Sequence, residues 1–423
     1  MASLTSWVKY SIDCDFPLQN LPYGVFRRSP SETPRIGVAI GDLVLDLRLI
    51  DEAELLPENV RRTGCFREQT LNHLMSLGKT VWKEARTRIQ QLLSHDTPIL
   101  RDNTSLCSSA LIPQKQVEML LPANIGDYTD YNASREHATN VGTIFRGAAN
   151  ALQPNWLWLP VGYHGRSSSI VVSGTAVRRP CGQIKVSDDL NMPPKHAPSC
   201  SIDFELEMGL FVGPGNELGY PIAIDRASEH MFGMVLINDW SARDIQSWEY
   251  IPLGPFGAKN WATTISPWVV TMEALEPFRC FGPKQEPKPL PYLCDTLPSA
   301  YDIRLFSAIQ SEQMSRPQII TSTNLQYMYW SSKQQLVHHT VTGCNMRPGD
   351  LLGSGTISGP TQNSLGSLLE LSWKGSIRLE ESGEERKFIQ DGDTVILSGY
   401  CQGNGYRVGF GQCSGKLLPS ILV

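Results

Sequence analysis

Beyond residue 122, glycine and proline break this chain into short apolar runs separated by turn formers. Ser168–Val172, Phe204–Val212, Met234–Ile237, Trp268–Thr271, Leu368–Trp373 and Thr394–Leu397 are the clearest. Glycine and proline are both poor in helix interiors, and runs of this length suit strands. The pattern predicts a mainly β fold with few helices. A proline-rich stretch at 277–298 reads as a surface excursion, because strand signals resume on both sides.

The first part of the chain differs. Tyr23–Phe26, Ile36–Ile40 and Leu43–Leu47 read as strands, with a turn at Gly41-Asp42. Residues 67–95 carry helical periodicity, and Gly78 suggests two helices there rather than one. These segments predict a small, mainly β N-terminal domain over residues 1–122 and a larger domain over 123–423.

With 423 residues, 41% hydrophobic, the chain can bury a sizeable core. A net charge of −5 without an extended basic run argues against nucleic acid as a partner. Apolar runs such as Met234–Ile237 are too short to cross a bilayer. Residues 1–10 lack the continuous apolar stretch of a secretory signal, and the ten cysteines show no Cys-x-x-Cys or zinc spacing. The expectation is a cytosolic protein with reduced thiols.

Four acids stand in apolar or compact surroundings: Asp130, Glu205, Glu207 and Asp239. Such carboxylates cost free energy unless a cation or hydrogen bonds compensate them, and an all-oxygen set suits Ca²⁺ or Mg²⁺. Along 201–210, alternation puts Asp203, Glu205 and Glu207 on one strand face and Phe204, Leu206, Met208 and Leu210 on the other. The same alternation also describes an ordinary strand with one wet face. Asp239, Arg243, Gln246 and Tyr250 recur at helical spacing, as a functional face or simply as an N-cap with an intrahelical pair.

His137 is a candidate general base, although a lone histidine is more often structural. The adjacent His338 and His339 would point opposite ways on a strand, which argues against a shared metal. Lys259 sits in a Gly-rich loop, either solvent-exposed or partnering an oxyanion. The stretch Gly353–Pro360 lacks the Gly-Lys-Ser/Thr of a phosphate loop, so nucleotide binding has little support.

Several stretches together resemble the fumarylacetoacetate hydrolase (fumarylacetoacetase) family. They are Phe16–Phe26, Pro160–Arg166, Asn238–Gln246, Leu253–Phe256, Gly355–Pro360 and Gly399–Gly403, spread over nearly the whole chain. The resemblance implies an SH3-like N-terminal barrel, a C-terminal β-roll catalytic domain and a homodimer. It implies hydrolysis of a carbon–carbon bond in fumarylacetoacetate, giving fumarate and acetoacetate, the last step of tyrosine and phenylalanine breakdown.

By the same resemblance Asp130, Glu205, Glu207 and Asp239 hold one divalent ion, usually Ca²⁺, which would chelate the diketone and stabilise the departing enolate. Asp239, Lys259 and Thr263 attend a Mg²⁺ site, with Lys259 contributing its carbonyl. His137 becomes the base oriented by Glu370, and Arg243, Gln246 and Lys259 surround the oxyanion. Asn132, Arg146, Tyr163, Gln246, Tyr250 and Thr356 would hold the substrate. The family commonly has tyrosine where this chain has Asn132, which opens the alternative of a related acylpyruvate or β-diketo acid as substrate. Ala262 stands where some relatives have glycine, a change expected to be tolerated.

Overall fold

The computed structural model describes residues 4–187, 189, 191–373 and 375–421. Met1, Ala2 and Ser3, part of the segment read for a secretory signal, lie outside the described residues. The chain is mainly β, and it belongs to neither a bundle nor an alternating βα pattern.

The N-terminal region carries a five-stranded antiparallel sheet ordered Leu111–Pro113, Leu43–Asp46, Arg35–Ile40, Tyr23–Arg27, Glu118–Leu120. Its helical residues nonetheless outnumber its strand residues, so the expectation of a mainly β N-terminal region is corrected. Helices at Leu47–Glu52, Glu58–Thr63 and Thr104–Ala110 escaped notice because each is too short to establish periodicity. Asp46 ends a strand and caps the first of them, accepting from the amides of Arg48 and Leu49. Two helices do flank Gly78, Asn72–Ser76 and Lys79–Leu93; that glycine has φ +79° and caps the second.

The larger region is built on two sheets. The first runs Gly162–Gly165, Tyr128–Tyr131, Leu351–Gly353, Leu206–Val212, Met231–Asp239, Thr263–Ile265, Ile170–Val172, with Val270–Thr271 pairing off this path. It is mixed, since Leu351–Gly353 lies parallel to Tyr128–Tyr131 and Thr263–Ile265 parallel to Ile170–Val172. The second runs Gln318–Asn324, Arg304–Gln310, Thr394–Gln402, Arg407–Leu418, Val177–Arg178.

Alternation along the central strands sorts side chains into two cores. Leu206, Met208, Leu210, Met234 and Leu236 pack in one core with Leu305, Leu397 and Phe410 of the second sheet. Phe211, Val235 and Ile237 point the other way, into a core shared with Tyr23, Phe66 and Trp82 of the N-terminal region. The central strands are buried on both faces, which explains their continuous apolar character.

Three local expectations are corrected. Leu368–Leu371 is a helix rather than a strand, because the Ser367 side chain caps it and Asp203 accepts from the amides of Leu368 and Leu369. The helical stripe from Asp239 to Tyr250 shrinks to Arg243–Glu249, with Asp239 closing a strand and Tyr250 at the C-cap. His338 and His339 lie on the helix Ser332–Thr340 rather than a strand. Each has its own partner, the Tyr292 hydroxyl at 3.0 Å and the Thr129 hydroxyl at 2.9 Å.

The stretch 277–298 carries short turns and strand fragments, largely at the surface. All ten cysteines are free among the described residues. No helix among those residues is long and apolar enough to cross a membrane.

Candidate functional site

The four acids converge. Asp130 comes from Tyr128–Tyr131, Glu207 from Leu206–Val212, Asp239 from the end of Met231–Asp239, and Glu205 from the residues just before Leu206. Each offers a carboxylate oxygen within 4.8 Å of the others, and all four are buried. The strand Leu351–Gly353 lies between those of Asp130 and Glu207, and Gly353 keeps the gap open. A Cβ there would stand 3.1 Å from Glu207 Oε2 and equally close to the Tyr128 hydroxyl.

Two buried cations partly neutralise this cluster. Lys259 Nζ pairs with Glu205 and Asp239, and Arg243 pairs with Asp203 and Glu205 at 2.8 Å each. Burial pushes the Glu205 carboxyl up, but Lys259 and Arg243 outweigh it and hold the group below the ordinary carboxylate range. Burial would drain the Lys259 ammonium of its proton; Asp239 and Glu205 overcome this and keep it charged.

Asp130 and Glu207 receive less compensation. Their carboxyls are driven well above the usual range by burial first and then by repulsion from the neighbouring acids. Asp130 Oδ1 and Glu207 Oε1 are buried without a hydrogen-bond partner. Orphaned oxygens in an all-carboxylate set are what a hard divalent cation satisfies, so the residues fit such an ion. Lys259 presents its ammonium to the acids, and Thr263 Oγ1 donates to Asp239 Oδ1 at 3.1 Å.

His137 lies on the helix Arg135–Arg146, capped by Ser134, whose Oγ accepts the His137 amide. The residue is 7% exposed, and its Nδ1 stands 2.7 Å from Glu370 Oε2. Glu370 is fully buried, which raises its carboxyl, yet the charge and hydrogen bond of His137 together with Asn140 and Ser367 bring it below the ordinary range. The His137 ring is also near enough to Glu205 to help lower that carboxyl.

The remaining candidates divide. Arg243 Nη1 donates to Gln246 Oε1 at 3.1 Å, and the Tyr163 hydroxyl reaches Asp239 Oδ2 at 3.5 Å. Thr356 is buried, and Asn132 Oδ1 is buried without a partner. Arg146 instead spends its guanidinium on the carbonyls of Asn150 and Ala151, at 3.1 and 2.7 Å. Tyr250 packs with Phe145, ring centroids 6.2 Å apart, at the end of the same helix that carries His137.

Residues outside the initial set also serve the site. Asp203 ties Arg243 to the amides of Leu368 and Leu369, and so fixes the helix bearing Glu370. Its position on the acid face of 201–210 was the available signal. Gly355 has φ +79° and gives its amide to Glu207 Oε2 at 3.0 Å, so the Gly-rich segment supports the acid cluster.

A buried carboxylate cluster beside a histidine–glutamate pair, on a mixed sheet between two cores, defines an acid-lined centre able to hold a cation and move a proton. Residues 19–122 match the family model described as "Fumarylacetoacetase N-terminal" and residues 128–417 the one described as "Fumarylacetoacetate (FAA) hydrolase C-terminal". The chain is 57% identical over 424 residues to a fumarylacetoacetase of Dictyostelium discoideum, covering 99% of each chain. It is 56% identical over 418 residues to the Homo sapiens fumarylacetoacetase, again covering 99% of each. Against the Arabidopsis thaliana fumarylacetoacetase, identity is 53% over 421 residues, covering 99% of this chain and 100% of the other. A solved fumarylacetoacetate hydrolase from Exiguobacterium antarcticum shares the fold, with a TM-score of 0.52 and 16% identity, covering 94% of this chain and 99% of that one. The chain belongs to the fumarylacetoacetate hydrolase family.

Proposed function

We propose that this protein hydrolyses fumarylacetoacetate to fumarate and acetoacetate, acting as a hydrolase on a carbon–carbon bond. The observation that carries the reading is the His137–Glu370 pair, 2.7 Å apart, beside the buried acids. The relatives named above, matched end to end, support the same substrate.

Water attacks the carbonyl joined to the fumaryl group, and His137 Nε2 takes the water proton. Glu370 holds Nδ1–H and stabilises the imidazolium that forms. Arg243, Gln246 and Lys259 stand as donors for the developing oxyanion. When the tetrahedral intermediate collapses, the carbon–carbon bond breaks and the pair leaves on the acetoacetate carbon. The His137 proton returns to that carbon, so one water is consumed and two acids result. A divalent ion held by Asp130, Glu205, Glu207 and Asp239 would supply Lewis-acid stabilisation of the enolate charge. We assign Ca²⁺ to that site, and Mg²⁺ to one attended by Asp239, Thr263 and the Lys259 carbonyl.

Asn132, Tyr163, Gln246, Thr356, Arg146 and Tyr250 form the substrate-holding set. The last two would have to turn inward, since Arg146 now binds local carbonyls and Tyr250 packs on Phe145. An SH3-like barrel over 1–122, a β-roll over 123–423, a homodimer and a cytosolic location complete the proposal. The unpartnered Asn132 Oδ1 favours one second reading, a related acylpyruvate or β-diketo acid as substrate.

Protein supplied with Ca²⁺ or Mg²⁺ is expected to bleach the ultraviolet absorbance of fumarylacetoacetate. His137→Ala should abolish this, and chelation should lower both turnover and Tm until the ion is restored. Full activity in His137→Ala would reject the base; a higher kcat/KM for another diketo acid would favour the second reading.

A further inference from the structure

The Glu370 carboxylate is held by more than the His137 ring. Its Oε1 accepts from Asn140 Nδ2 at 2.9 Å and Ser358 Oγ at 2.9 Å. Its Oε2 accepts from His137 Nδ1 at 2.7 Å, Ser358 Oγ at 3.0 Å and Ser367 Oγ at 2.8 Å. The hydroxyl protons have settled directions. Ser358 Oγ accepts the Gly366 amide at 2.9 Å, and Ser367 Oγ accepts the Glu370 amide at 3.4 Å, so both turn their own protons toward the carboxylate.

Asn140 and both serines therefore meet the carboxylate as donors. These donors stabilise the ionised form of Glu370, and an ionised carboxylate takes an N–H from the imidazole facing it. That places the ring proton on Nδ1 and leaves the Nε2 lone pair bare. We propose that Asn140, Ser358 and Ser367 are positioning residues that select this His137 tautomer by holding Glu370 as a pure acceptor. Asn140 leads the set. It follows His137 by three residues on the same helix, so amide and imidazole reach one carboxylate from a single rigid face. Ser358 adds a second tie, because its carbonyl accepts from the helix cap Ser134 at 3.2 Å.

The proposal rests on the reading of His137 as the base, and two measurements keep the two separable. Asn140→Leu removes the amide donor at a half-buried position, and Ser358→Ala removes a hydroxyl. Each should lower kcat about ten- to hundredfold, the usual effect of losing an outer partner of a functional histidine. KM should stay within about twofold, as for an interaction made only in the transition state. In a Glu370→Gln background Asn140→Leu should cost nothing further.

Independently of turnover, the proton NMR spectrum of the parent should contain a far-downfield imidazole N–H that disappears in His137→Ala and weakens in Asn140→Leu. Unchanged kcat in both variants overturns the proposal, as does an equal loss with and without Glu370. A parent that leaves fumarylacetoacetate intact while its downfield resonance responds to Asn140→Leu would reject the functional reading and support the positioning role.

Discussion

At the scale of single residues the site is a problem in charge compensation. Four carboxylates meet one ammonium and a guanidinium that Asp203 also claims, so the acids outnumber the cations that face them, and burial with mutual repulsion raises Asp130 and Glu207. Glu370 illustrates the opposite balance, since the charge of His137 and the hydrogen bonds around the carboxylate overcome its burial. Its folded pKa lies below the ordinary glutamate value, about 4.3. The stabilisation this supplies is therefore complete above that value and is lost as pH falls through the folded pKa. Glu370→Gln cannot titrate. The gap in urea midpoint between parent and Glu370→Gln should be largest near neutrality and narrow below about pH 4. A gap that widens on acidification would contradict this account. The acids were legible in sequence because carboxylates beside Leu, Met and Phe ask for partners. The donors around Glu370 were not, because serines and an asparagine scattered over more than two hundred positions carry no local pattern.

Elements place these groups, and here legibility followed length. The central strands and the break at Gly78 could be read, whereas the isolated short helices Leu47–Glu52, Glu58–Thr63, Thr104–Ala110 and Leu368–Leu371 could not. The helix Arg135–Arg146 matters most, because it carries both His137 and Asn140. Its start depends on Ser134, which accepts the His137 amide at 3.2 Å and donates to the Ser358 carbonyl at 3.2 Å. Ser134→Ala should cost about 1 kcal/mol of stability, as N-cap losses do. It should also lower kcat, since the first helical turn holds the base. Denaturant unfolding together with steady-state kinetics tests both expectations. A stability loss without any change in kcat would show that the first turn keeps its position without the cap.

The whole molecule unites its two regions through a common core rather than a linker. Tyr23 exchanges backbone hydrogen bonds with Val269, and the Trp82 and Phe232 rings meet edge to face, centroids 5.1 Å apart. Phe211, Val235 and Ile237, on strands whose ends supply Glu207 and Asp239, pack into that same core. Unfolding the N-terminal region would thus strip one face of the sheet that carries the site. The protein should unfold in a single calorimetric transition, with van't Hoff and calorimetric enthalpies in agreement. Trp82→Ala removes a ring that packs against Phe232 and covers Gly213, where a Cβ would come within 2.5 Å of the indole. It should cost about 3–5 kcal/mol, the range for large-to-small changes in a core. Because the core is shared, this loss should move the whole transition to lower temperature, and loss of activity on heating should track it. A separate early transition, with activity persisting beyond it, would show that the catalytic sheet stands without its N-terminal cover.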